Sequence, residues 1–208
     1  MINDHWPSEK YELAPPNYLV ALGQATFVYN MLVSIMSQLF VRVAPLESEY
    51  ALRLFHSLNN RERVDLFSGF VHKNEKDQIV ADALLYCILC YNICTENRNI
   101  LMHSTYFEIN DGETRLVKRA SNDPKREIHF DIPLLELRNV ADQIADIFIY
   151  AREIYGVIFH RDRLAQISPG IPESSALPEK PPKPRILTPY QPEAIRRGGM
   201  LPHQPSGA

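Results

Sequence analysis

The feature that most constrains the fold is a long uncharged segment near the N-terminus. Leu13 to Val41 contains no Asp, Glu, Lys or Arg, and its part from Tyr18 onward is long enough to cross a bilayer. Polar residues at helical spacing nevertheless form a ridge along it: Asn30, Ser34, Ser37 and Gln38. We interpret the segment as the central helix of a soluble bundle, buried on more than one side. A membrane span is the alternative.

Helical periodicity continues through most of the chain. The first helix is predicted to begin after an Asn17 cap and to end before Pro45. Apolar residues recur at helical spacing in 46–58, 61–71 and 75–103, and Asn60 is a possible cap of the second of these helices. A last amphipathic helix should follow an Asp131 cap and end near Gly156 or His160. The pattern predicts an all-α fold, a helical bundle over residues 17–165.

The hydrophobic period changes between the fourth and the last of these helices. Asn110-Asp111-Gly112 is a strong turn signal, and Ile128 and Phe130 alternate with His129. Residues from about 105 to 130 are therefore predicted to form a small inserted β-hairpin or three-stranded meander.

Proline marks both ends of the chain. Residues 1–16 are predicted to be an irregular arm that ends at Pro15-Pro16. Prolines recur from residue 166 to 208 without an apolar period, which predicts a disordered tail with polyproline character around Glu179 to Arg185. A proline-binding partner could dock there, and a plain solvated tail is the alternative.

The net charge and the cysteines indicate what the protein can bind and in which cellular compartment it is expected. The net charge of -3 gives no bulk attraction to nucleic acid, so phosphate binding must be local. The first residues lack the pattern of a signal peptide. Three cysteines in one segment, Cys87, Cys90 and Cys94, do not suggest a disulfide framework. We expect a cytoplasmic protein that does not bind a membrane.

The same cysteines raise the question of a metal site. Their C-x2-C-x3-C spacing lacks a fourth ligand and falls within a helical stretch among leucines and isoleucines. Burial of cysteine as a small apolar residue explains the pattern better. No phosphate-binding or nucleophile-elbow motif is present, so the sequence predicts neither a metal nor a cofactor.

The sequence nevertheless contains one set of residues suited to catalysis. Arg98, Asn99 and His103 lie within a single predicted helix, with Asn99 and His103 one turn apart. A histidine can move a proton near neutral pH, and an arginine can steady charge on phosphoryl oxygens. With RNA, the 2′-hydroxyl supplies the nucleophile, so these side chains could cleave it without a metal. Chance spacing on an amphipathic helix is the alternative.

The stretch from Arg98 to His103 resembles the RNxxxH signature of the HEPN domain family, and the helical pattern over roughly residues 17–160 is similar to that fold. The resemblance implies that Arg98, Asn99 and His103 are active-site residues. It also implies a homodimer with a shared cleft, metal-independent RNA cleavage through 2′-hydroxyl attack, and a role in a toxin or defence system. A catalytically inactive dimerisation or interaction module of the same fold is the alternative.

Basic residues of the predicted β insert could add to RNA binding. They are Arg115, Lys118, Arg119, Lys125 and Arg126, and Arg61 and Arg63 are further candidates. A solvated sheet edge, where Lys and Arg block strand pairing, explains the β cluster as well.

Overall fold

The computed structural model describes residues 15–109, 113–120, 123–167 and 176–189. Within these ranges the protein is mostly helical, which confirms the predicted fold class at this level. The helices are α1 (Pro16–Val43), α2 (Ser48–Ser57), α3 (Asn60–Asn74), α4 (Gln78–Met102) and α5 (Leu134–Ile167). Three strands lie between α4 and α5: β1 (Thr105–Ile109), β2 (Glu113–Ala120) and β3 (Asp123–Asp131).

The strands form one antiparallel sheet in the order β1-β2-β3. Thr105 pairs with Val117, and Leu116 pairs with Phe130 on the other side of β2. Phe130 is buried, whereas His129 beside it is exposed. The alternation is that of a sheet with one face on the core. Asp131 is the last residue of β3, so its predicted role as the cap of α5 is wrong.

The core of the bundle is built on α4 and on one stripe of α1. Leu84 and Tyr91 of α4 and Leu32 and Met36 of α1 are almost completely buried. At the end of α1, the Phe40 ring packs against aromatic rings of α2 and α3 at centroid distances of 5.4–5.5 Å: Phe55, Phe67 and Phe70. These contacts join the first three helices into one body.

Helix α1 differs from its prediction. Its buried residues recur every three or four positions along one side, and its cap residue is Pro15 rather than Asn17. The opposite side carries exposed Val20, Phe27 and Met31. Three residues of the predicted ridge are exposed, while Ser37 is buried. The helix buried on more than one side is α4, which places Val80, Ala81, Ala83 and Leu84 in the core in close succession.

Both long apolar helices satisfy the length and composition of a membrane span. The most apolar 18-residue window of α4 is 61% buried within the protein, and that of α1 is 28% buried. The buried fraction of α4 is that of a core helix. The lower buried fraction of α1 reflects its exposed side, which includes Val20, Phe27 and Met31.

The turn between α2 and α3 contains a complete capping box. The side chain of Asn59 accepts a hydrogen bond from the backbone N–H of Glu62, and the Glu62 carboxylate accepts one from the Asn59 N–H. The sequence placed the cap one residue later, at Asn60, which instead donates to Asn92 of α4.

Helix α5 extends beyond its predicted end to Ile167. Ile158 is buried, so the apolar stripe continues past Gly156. Ion pairs hold the last turns: Asp162 accepts two hydrogen bonds from Arg42, and Arg161 pairs with Glu75 and Asp77. These contacts to α1 and to the α3–α4 connection explain why the helix does not end at the glycine.

Residues 176–189, which we call the strap, contradict the predicted disordered tail in this range. The strap is extended and packs on the bundle, with Leu187 only 8% exposed. Backbone groups of Pro181, Arg185 and Leu187 form hydrogen bonds to side chains of α4 and α5. A segment without apolar periodicity can therefore still be ordered, because the bundle supplies its partners. Residues 168–175 and 190–208 of the predicted tail, and residues 1–14 of the arm, lie outside the described residues.

Candidate active site

The three motif residues lie at the C-terminal end of α4, where the helix meets β1. Arg98 and Asn99 belong to the last turns of the helix, and His103 is its C-cap residue. The backbone N–H of His103 donates to the Asn99 carbonyl at 3.1 Å. The motif is thus held by the main chain at a helix end, where side chains gain access to solvent.

Arg98 is a half-buried cation without a counter-ion among the described residues. Its guanidinium lies over the Tyr29 ring of α1, 5.6 Å from the centroid, and Nη1 donates to Asn99 Oδ1 at 3.2 Å. Its Nε is buried and has no hydrogen-bond partner in the described part of the chain. A buried donor of this kind gains free energy when an acceptor reaches it. Arg98 is therefore suited to bind an anion.

Tyr29 fixes the surface on which Arg98 rests. Its ring stacks on Tyr91 at a centroid distance of 6.4 Å, and its hydroxyl donates to Thr95 Oγ1 at 3.1 Å. Thr95 in turn donates to the Tyr91 carbonyl. Burial raises the pKa of Tyr29 well above its ordinary value, so the hydroxyl stays protonated and remains a donor. The packing of α1 on α4 thus positions the arginine.

His103 has a different environment from Arg98. It is exposed, and within the described part of the chain its ring has no hydrogen-bond or ion-pair partner. Its backbone, with φ −107° and ψ 12°, lies in the bridge region in which many active-site residues are found. The ring is therefore accessible to a bound molecule.

The side chains of Arg98 and Asn99 are hydrogen-bonded to each other, whereas His103 is bonded to Asn99 only through the backbone and its ring contacts neither side chain within the described residues. A spacing of five residues turns His103 about 140° around the helix axis from Arg98. Within one copy, a ligand on the Arg98 guanidinium reaches the imidazole only around the end of the helix. The C-terminal end of a helix also carries partial negative charge, so an anion bound here depends on the arginine.

The basic cluster of the β insert is described only in its backbone. Arg115 pairs with Asp131, Lys118 with Ile128, and Arg119 with Glu127. Two of the basic positions are therefore opposite acidic ones, which lowers the net charge of the sheet. Lys125 and Arg126 belong to β3. The side chains of all five predicted RNA-binding residues lie outside the described residues.

Of the two further basic candidates, Arg63 is part of the core scaffold. Its guanidinium donates to the carbonyls of Phe55 and Leu58 and to the Tyr91 hydroxyl, and it lies over the Phe55 ring. These contacts use three of its five donors inside the protein, so its position is fixed by the fold. Arg61 is exposed and faces Asp65 at 4.0 Å.

The cysteines are buried and free. Burial raises the pKa of Cys94 to about 12, and that of Cys87 is raised for the same reason. Such thiols remain protonated and are poor metal ligands. No group of three or more His, Cys, Asp or Glu side chains that could hold a metal was found among the described residues.

Two residues that the sequence analysis did not select stand next to the motif. Tyr29 is part of the apolar period of α1, and a single sequence gives no sign that it supports an arginine of another helix. Asn97 directly precedes Arg98 and is 1% exposed, with both ends of its amide bound to the strap. The sequence signal that could have identified Asn97 is a polar residue at a core position of a helix.

Comparison with known protein families, with curated proteins and with solved structures finds no match for this chain.

Proposed function

We propose that the protein is a cytoplasmic, metal-independent endoribonuclease of the HEPN type that acts as a homodimer. The observation that carries the proposal is Arg98, a half-buried cation with no carboxylate partner among the described residues and a buried, unpaired Nε. An uncompensated cation is costly unless an anion occupies the site during function. The exposed His103 at the same helix end supplies a group that transfers protons.

The reaction follows from these groups. A base removes the proton of the RNA 2′-hydroxyl, and the oxygen attacks the adjacent phosphorus. The bond to the 5′-oxygen then breaks as an acid protonates that oxygen, which leaves a 2′,3′-cyclic phosphate and a 5′-hydroxyl. Arg98 donates to the phosphoryl oxygens as charge develops, Asn99 orients the guanidinium, and His103 exchanges the proton. A positioned acid or base contributes about 10²- to 10⁴-fold to the rate.

A second copy of the chain would bring together an Arg98 and a His103, which are separated around the helix within one copy. RNA cleavage of this kind uses an acid and a base, and one copy supplies a single motif histidine. In a two-fold dimer with facing α4 ends, Arg98 of one copy approaches His103 of the other. Helix α1 reaches this end, where Thr26 donates to Met102 Sδ, and up to Val41 its exposed side carries Val20, Phe27 and Met31 beside uncharged polar residues. It offers an uncharged, partly apolar surface for such a dimer.

The proposal is tested by incubating the purified full chain with total RNA in excess chelator. Arg98→Ala and His103→Ala should each lower the cleavage rate by about 10² or more. His72→Ala is the matched control, because His72 is also an exposed histidine but lies on α3. Equal cleavage by wild type and both motif variants would refute the proposal.

A second candidate function is an interaction module without catalysis. The exposed apolar side of α1 favours it, because uncharged apolar surface on a helix commonly marks a binding site. Phe27→Asp should then abolish formation of the dimer, and Arg98→Ala and His103→Ala should leave the dimer unchanged. Assembly without RNA cleavage would favour this function over the nuclease.

A further inference from the structure

The groove between α4 and α5 holds the strap along nearly its whole length. Ala176 and Leu177 line a cavity together with Val80 of α4 and Ile158 of α5. Near the other end, Asn97 of α4 and Gln143 of α5 bind the strap at Arg185. The strap therefore runs parallel to α4 and antiparallel to α5.

The lengths of the two elements match. Val80 and Asn97 are about 26 Å apart along a helix with a rise of about 1.5 Å per residue. Leu177 and Leu187 are about 31 Å apart at the rise of a polyproline II chain, about 3.1 Å per residue. Prolines at 178, 181, 182 and 184 favour this extended form before binding, which lowers the entropic cost of docking.

Asn97 recognises the backbone of the strap. Its Nδ2 donates to the Arg185 carbonyl at 2.8 Å, and its Oδ1 accepts from the Leu187 N–H at 2.9 Å. Gln143 Oε1 accepts from the Arg185 N–H at 2.8 Å. Main-chain hydrogen bonds of this kind recognise an extended peptide whatever its side chains. Asn97 is 1% exposed, so without a peptide its amide would lose both partners.

Side chains add selectivity. Leu187 is 8% exposed and inserts beside Asn97, and Pro184 is buried. At the other end, the Tyr86 hydroxyl donates to the Pro181 carbonyl, and the Lys180 ammonium lies 5.3 Å from the centre of the Tyr86 ring. Ile186, between the anchors, is 48% exposed. The groove thus selects apolar side chains at specific positions of a proline-rich, basic peptide.

We infer that the α4–α5 groove is a peptide-binding site whose resident ligand is the strap of the same chain. The strap is a ligand joined to its site by residues 168–175, which lie outside the described residues. The covalent link raises its local concentration, but the contacts themselves provide the affinity. The complex should therefore persist when the link is cut.

The test uses the full chain with a specific protease site inserted in residues 168–175 and a dye at the C-terminus. After cleavage, fluorescence anisotropy on dilution gives the Kd of the fragment. We expect a Kd in the micromolar range or below, and displacement by an unlabelled synthetic peptide of residues 176–189. A fragment that is free at micromolar concentration would overturn the inference.

Paired variants locate the binding energy. Leu187→Asp should raise the Kd at least tenfold, and Ile186→Asp, its exposed neighbour, should change it less than threefold. In the groove, Asn97→Ala should raise the Kd at least tenfold, whereas Asn92→Ala, on the same helix but bonded to Asn60, should not. If Asn97→Ala does not fold, the strap pair decides, because it leaves the bundle intact.

The strap could also occupy the groove of a second copy. In that case Leu187→Asp would lower the mass that light scattering gives for the uncut chain, while Ile186→Asp would leave that mass unchanged. That result would overturn occupancy by the same chain. An equal mass for Leu187→Asp and Ile186→Asp supports occupancy of the groove by the strap of the same chain.

Discussion

Replacing Arg63 with methionine should destabilise the protein by about 3 kcal/mol. Arg63 donates hydrogen bonds of 2.7–2.9 Å to the carbonyls of Phe55 and Leu58 and to the Tyr91 hydroxyl. Its charge also offsets the negative end of α2, since both carbonyls belong to the last turn or the cap of that helix. Methionine keeps an apolar stem of similar length, so the change removes the donors and the charge.

The magnitude follows from the three hydrogen bonds. Each bond from a charged donor contributes about 1.5–3 kcal/mol, and bonds that share one group are not additive, which gives about 3 kcal/mol in total. For a domain of this length, that loss should lower the Tm by about 6–12 °C. Urea unfolding followed by circular dichroism measures the change.

Arg61→Met is the matched control, because Arg61 lies two residues away on the same helix. The Arg61 side chain is 92% exposed, and its pair with Asp65 at 4.0 Å should contribute less than about 0.5 kcal/mol. If Arg63→Met costs no more than this control, the hydrogen bonds do not hold α2, α3 and α4 together, and the assignment of Arg63 to the scaffold would be wrong.

Four further outcomes are expected. Asn59→Ala should lower the free energy of unfolding by about 1 kcal/mol in urea, because it removes half of the capping box. Leu84→Ala, in the core, should cost about 3 kcal/mol in the same assay, whereas Leu89→Ala at 46% exposure should cost clearly less. The cysteines should react with a thiol reagent only after unfolding, since burial raises the pKa of Cys94 to about 12. Because the unfolded thiol releases its proton above about pH 8.5 and the folded one does not, stability should fall as pH rises from there, which a pH series of urea curves measures.

The helices and the β insert could be predicted because local chemistry determines them. The Asn110-Asp111-Gly112 signal lies between β1 and β2, and the apolar period of residues 75–103 predicted the helix α4. The predictions of where helices begin and end were less accurate. Asn59 rather than Asn60 caps α3, because Asn59 and Glu62 exchange hydrogen bonds. The two candidates are neighbouring asparagines, so residue type alone could not distinguish them. The end of α5 depends on ion pairs with Arg42 and Glu75, which are distant in sequence.

The strap could not be predicted from its composition. Proline density indicates that a segment cannot build a core of its own, but not that another element offers a groove. The partners, Tyr86, Asn97 and Gln143, are spread over two helices. Only the fold brings them together.

The candidate site was predicted in part. Spacing alone placed Arg98, Asn99 and His103 on one helix, and the structure puts them at its C-terminal end. Spacing could not show that Tyr29 supports the guanidinium or that His103 forms the helix cap. Both depend on the packing of α1 and on the start of β1.

The most direct test of the proposed function is the chemistry of the RNA ends. The wild-type chain, incubated with RNA in excess chelator, should yield fragments with 2′,3′-cyclic phosphates, and 2′-O-methyl RNA should remain uncut because it lacks the nucleophile. His103→Ala should reduce the yield of cyclic ends by about 10² or more. Cleavage of 2′-O-methyl RNA, products without cyclic ends, or an unchanged yield from His103→Ala would contradict the account.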